Sequence, residues 1–156
     1  MNAIAHIRRE TMVSFVINAV LSGLFFVLVF GTAANVPLWG VGGYVYDYGP
    51  QGFVIGMMAT LVPGVMARKA LRKQNFTGGD GEASRPGVLP RGLIARGLVC
   101  GLAGAIGGVV LAAAVLAAIG AAVLAWWPAI LAKMAFGAAL AIVVTLAGLR
   151  IELMPR

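Results

Sequence analysis

Four long apolar runs, three of them without any charge, limit this chain to one kind of environment. They are Thr11 to Gly31, Pro50 to Ala67, Gly97 to Ile119 and Trp127 to Leu149. As helices they reach about 27 to 35 Å, against about 30 Å for the hydrocarbon core of a bilayer. Composition agrees: 61% of the 156 residues are hydrophobic, 11% are charged, and the mean hydropathy is +0.97. A soluble domain carries about 25% charged residues. The sequence therefore predicts an all-α integral membrane protein, residues 1–156 forming a single four-helix domain. The first apolar run is too long for a cleavable signal, and no small-residue cleavage site ends it.

Positive charge orients the spans. Arg8 and Arg9 precede the first, a basic loop (68–96) separates the second from the third, and Arg150 and Arg156 follow the fourth. Of the 12 lysines and arginines, Lys133 alone lies elsewhere. All 3 tryptophans and all 3 tyrosines fall at the opposite ends, as half of an aromatic belt. Both termini are expected in the cytoplasm and the 32–49 loop outside, with the chain crossing as two tandem hairpins. Pro50 and Pro128 stand at the outer starts of the returning helices, where a missing N–H needs no partner. The protein is expected in a cell inner membrane, as a multi-pass chain. The net charge of +7 then reflects topology and attraction of the basic loop to anionic lipid. Nucleic acid is not an expected partner.

Each span carries small or polar residues four apart, hence on one helix face. They are Ser14, Asn18 and Ser22 in the first span and Gly52, Gly56, Thr60 and Gly64 in the second. The third has Gly97 and Gly101 and then, after a step of three, Gly104, Gly108 and Ala112; the fourth has Ala129, Lys133, Gly137, Ala141 and Thr145. Small faces let backbones approach closely in lipid, so the pattern predicts a tight bundle.

Lys133, within "WWPAILAKMAF" (126–136), is the sharpest functional clue. A charge in a span is costly and functional by default. It lies about 9 Å below Trp127, within partial reach of the interface by snorkelling, but on the small-residue face. Asp47 is the one outer carboxylate and its natural partner. Asn18 needs a hydrogen bond, expected from Thr145 or Thr60. Lys133, Asp47, Asn18 and Thr60 make up the candidate intramembrane polar site.

Other polar residues read as structural. Glu10 suits a helix N-terminus and sits at the interface, not at the mid-span depth a proton-coupled carrier uses. His6 is the single histidine and lies outside the first span. Cys100 reads as a buried inert thiol. Pro63 frees the Ala59 carbonyl. The 78–87 segment, with Asp80 and Glu82, reads as a linker without calcium-loop spacing. The 32–49 loop reads either as an interface plug or as a contact surface for a partner. No catalytic constellation, metal cluster or phosphate loop emerges, so no cofactor and no enzyme activity are expected. The leading expectation is a non-catalytic accessory, assembly or scaffold subunit with a membrane-protein partner or a second copy of itself. The alternative is a small oligomeric transporter or channel with a polar path near Asn18, Thr60 and Lys133.

Overall fold

A computed structural model describes residues 3–32, 34–73 and 92–153. The linker with Asp80 and Glu82, and the arginines Arg85, Arg91 and Arg156, lie outside them. The elements run α1 (Ala3–Phe30), β1 (Asn35–Pro37), α2 (Tyr48–Lys73), α3 (Leu93–Ala118), β2 (Val123–Ala125) and α4 (Trp126–Leu153). Each helix holds a stretch of 22 to 26 residues long and apolar enough to span a membrane. The protein is thus a multi-pass helical membrane bundle.

The helices outrun the apolar runs at their basic ends. α1 begins at Ala3, so Glu10 lies two turns inside it and not at its N-terminus. Arg96, expected in the solvated basic loop, is buried in α3 at 2% exposure.

Packing follows the small faces. α2 lies against α3 and α4, and α1 lies against α4, while α1 barely meets α2 and α3 barely meets α4. Neither α1 with α2 nor α3 with α4 packs closely, so the main contacts run between the two expected hairpins, α2 against α3 and α1 against α4, and not within them. Glycine explains the α2–α3 contact. A Cβ on Gly56 would collide with the Cys100 carbonyl, and one on Gly52 with the Gly104 carbonyl. Between α1 and α4, a Cβ on Gly137 would strike Ser22 Oγ. Larger side chains point outward: Val16, Val20 and Leu28 of α1 and Ile106, Val110 and Leu111 of α3 are at least half exposed. Gly107, off the contact face of α3, has open space around it.

The ends of α1 and α3 nearest the aromatic residues are closed by glycine. Gly120 takes φ +65°, with Gly120 N–H donating to Ala117 O (3.1 Å) and Ala121 N–H to Leu116 O (3.3 Å), the Schellman pattern. The two loops that follow α1 and α3 then join: β1 and β2 pair antiparallel, Val36 opposite Leu124. Three-residue strands leave no periodicity to read in the sequence. The 32–49 loop is packed down, with Val36, Leu38, Tyr44 and Val45 buried. Trp126 Nε1 donates to Gly31 O at 2.8 Å and Trp39 Nε1 to Ala121 O at 3.3 Å. Phe26, Phe30, Tyr44 and Trp126 form the aromatic core beneath.

Candidate functional site

α4 carries Lys133 on the same face as Ala129, Gly137 and Ala141, all buried against α1 and α2. The lysine is wholly buried, at 0% exposure; it does not snorkel to water. Its Nζ lies 2.7 Å from Asp47 Oδ2 and 3.9 and 5.1 Å from the ring centroids of Tyr48 and Tyr44. Three groups thus surround the ammonium: one carboxylate and two ring faces.

Each wall of this cage is itself fixed. Tyr44 Oη donates to Ala129 O at 2.7 Å and lies 2.9 Å from Tyr48 Oη. Burial first, and the neighbouring Tyr48 next, push the Tyr44 phenol well above its ordinary range, so it stays neutral. Asp47 sits in a glycine turn: Gly40 and Gly42 take φ +93° and +78°, a region open to glycine. Gly43 N–H donates to Gly40 O at 2.9 Å and Asp47 N–H to Gly43 O at 3.2 Å. Gln51, one turn into α2, donates through Nε2 to Ser22 Oγ (2.8 Å) and to the Lys133 carbonyl (3.2 Å). One amide so ties α1, α2 and α4 together beside the ion pair.

A second polar layer lies deeper. Thr145 Oγ1 is shared between Ser14 Oγ at 2.9 Å and the Ala59 carbonyl at 3.3 Å. Ala59 is the residue whose helical donor Pro63 removes, so a threonine from α4 supplies the missing partner, as membrane helices allow. Asn18 behaves otherwise than expected. Its Nδ2 bonds within its own helix, to Ser14 O at 2.8 Å and Ser14 Oγ at 3.4 Å, because a short amide reaches the carbonyl four residues back. It meets Thr145 only through Ser14. Thr60 likewise donates to Gly56 O at 2.8 Å within α2.

Of the four candidate residues, then, Lys133 and Asp47 bond to each other, while Asn18 and Thr60 each bond within their own helix. Asn18 and Asp47 line a cleft of about 590 Å³ between α1 and α2; Lys133 and Thr60 do not. Gln51 and the Tyr44–Tyr48 pair were not singled out from the sequence. A glutamine one turn into an apolar helix, and two tyrosines four apart beside the only outer carboxylate, were the available clues. Among the described residues no cluster of three metal-ligating side chains occurs. No protein-family model, curated protein or solved structure matches this chain.

Proposed function

We propose that this chain is a non-catalytic accessory, assembly or scaffold subunit, resident in the inner membrane of a bacterium with both termini in the cytoplasm. Lys133 carries that reading. A transport site needs a polar group that faces a cavity and changes partner during the cycle. Here the intramembrane ammonium is enclosed by Asp47, Tyr44 and Tyr48, and the α1–α2 cleft does not reach it. The pair acts as a pin that holds the 32–49 loop to α4. Orientation follows the bias of lysine and arginine, and the basic residues between the second and third spans attract anionic lipid.

Two measurements test the reading. Purification from native membranes in mild detergent is expected to yield an assembly heavier than the 16.0 kDa chain, with a second protein at constant ratio or a fixed number of copies of this one. Sealed vesicles holding the purified protein are expected to pass protons and potassium no faster than protein-free vesicles. A saturable flux that Lys133→Met abolishes would replace the subunit reading with transport.

A further inference from the structure

Asn18 stands at the middle of the Ile7–Phe30 span, and so near the bilayer midplane. It is 8% exposed and lines the α1–α2 cleft. Both of its hydrogen bonds use Nδ2, to Ser14 O and to Ser14 Oγ, and the second is long at 3.4 Å. Among the described residues no donor reaches Asn18 Oδ1. Neither water nor a lipid head group comes to that depth, and an acceptor left unpaired there is costly. The neighbour that covers Asn18 must therefore bring a donor to the midplane. A hydrocarbon chain has none; a side chain on a crossing helix can carry one.

A second α1 supplies that donor. Two copies inserted with one orientation are related by an axis along the membrane normal, so equal residues meet at equal depth. Asn18 offers a free Oδ1 and an Nδ2 hydrogen held only by the long contact to Ser14 Oγ. Set against itself, it forms two reciprocal N–H to O bonds. Facing asparagines fix register and copy number in helix dimers, and interhelical hydrogen bonds hold helices together in lipid. Two further features suit the same occupant. The cleft follows α1 from Arg9 to Phe25, a rise of about 24 Å, most of the about 30 Å of hydrocarbon. Val13, Ile17 and Leu21 along it are 42% to 50% exposed. Arg9 and Glu10 stand at one end, and among the described residues neither is in an ion pair. A two-fold axis sets Arg9 of each copy beside Glu10 of the other, so the charges there are complementary to themselves. We propose that a second copy of this chain seats its α1 in the cleft, giving a parallel two-fold dimer in which the two Asn18 side chains bond to each other. The proposal rests on the subunit reading above and names a second copy as the partner.

The test is self-association of the full-length purified protein in vesicles of phosphatidylethanolamine and phosphatidylglycerol, read by energy transfer between labelled copies as lipid dilutes them. A dimer is expected, and Asn18→Leu is expected to weaken it by about tenfold, the scale of two interhelical hydrogen bonds. Thr60→Val, whose hydroxyl bonds within α2 and lies off the cleft, is expected to leave it unchanged. Oxidative cross-linking in the membranes of expressing cells reads the contact without altering Asn18. In a chain carrying Cys100→Ala, Val13→Cys is expected to join to its own copy. Leu98→Cys, as exposed as Val13 and at a similar depth in α3, is expected to stay single. Monomers at every dilution, association indifferent to Asn18→Leu, or equal cross-linking at both positions overturns the dimer. A monomer that purifies from native membranes with a different protein at constant ratio also overturns it and leaves the subunit reading standing. A dimer accompanied by saturable flux upholds the contact and replaces only the subunit reading.

Discussion

Removing one member of the Lys133–Asp47 pair should be more harmful from one side than from the other. The side chain of Lys133 is 1% exposed and that of Asp47 is 20% exposed. Asp47→Asn leaves a buried ammonium facing two phenol rings and a neutral amide. A buried charge stripped of its partner costs about 3–5 kcal/mol, and the rings return about 0.5–2 kcal/mol that was already present in the intact cage. Lys133→Met leaves a carboxylate with its own route to water, while methionine refills the stem volume. That loss is about 1–2 kcal/mol, the scale of a partly screened pair plus one cation–ring contact. The double variant replaces both charges and removes the stranded one, so it is expected to cost about as much as Lys133→Met alone. The coupling energy then equals the cost of Asp47→Asn alone, about 3–5 kcal/mol. Reversible unfolding in mixed micelles, or thermal unfolding in a single detergent, measures all four corners of the cycle. Additive effects, or an Asp47→Asn variant milder than Lys133→Met, would refute the cage as described.

Gly56→Leu and Gly104→Leu are expected to cost about 3 kcal/mol or more, since even a Cβ at either position meets backbone of the facing helix; outward-facing Leu111→Ala should change stability by less than about 0.5 kcal/mol, and equal effects would mean that the glycine faces see lipid. Tyr44→Phe removes the hydroxyl bonded to Ala129 O and is expected to cost about 1–2 kcal/mol in the same unfolding assay. Because the Tyr44 phenol is raised in the folded state, its contribution is complete below the unfolded value of about 10 and declines as pH rises above it; Tyr44→Phe should flatten part of that alkaline loss, and identical pH profiles would exclude it. A reporter fused after Arg156 should read cytoplasmic and one inserted at Gly42 external, the reverse pattern excluding the proposed orientation.

The small-residue faces were legible because lipid removes the usual hydrophobic signal: what distinguishes inside from outside is size, and four-residue spacing records it. Hence Gly56, Gly104 and Gly137 were identifiable without coordinates. The pairing of faces was not. Any small face can accept any other, and the choice of α4 over α2 as the neighbour of α1 depends on matched groups, Ser14 with Thr145 and Ser22 with Gly137, that only their depths bring together. The site was legible in its charges, since one outer carboxylate and one intramembrane ammonium leave a single pairing. Its aromatic walls were hidden, because Tyr44 and Tyr48 have the composition of an ordinary interfacial belt. Asn18 misled because an amide in a helix has a partner four residues behind it as well as across the interface.

The pairing of α1 with α4 across the whole chain also sets a timetable for biogenesis. α2 and α3 can associate as soon as both are inserted. α1 must wait for the last helix, and about a hundred residues separate Phe30 from Trp126; at a synthesis rate of about 5–20 residues per second, that is about 5 to 20 seconds. During that interval Ser14, Asn18 and Ser22 lack the neighbour that covers them, and Asn35 to Pro37 is an unpaired edge. A chain truncated before α4 would remain in that condition, displaying in lipid the polar face that membrane quality control recognises. In the proposed orientation Asp47, by contrast, is already at the outer surface when Lys133 enters, so the most costly residue to insert finds its counterion waiting at the end of its path.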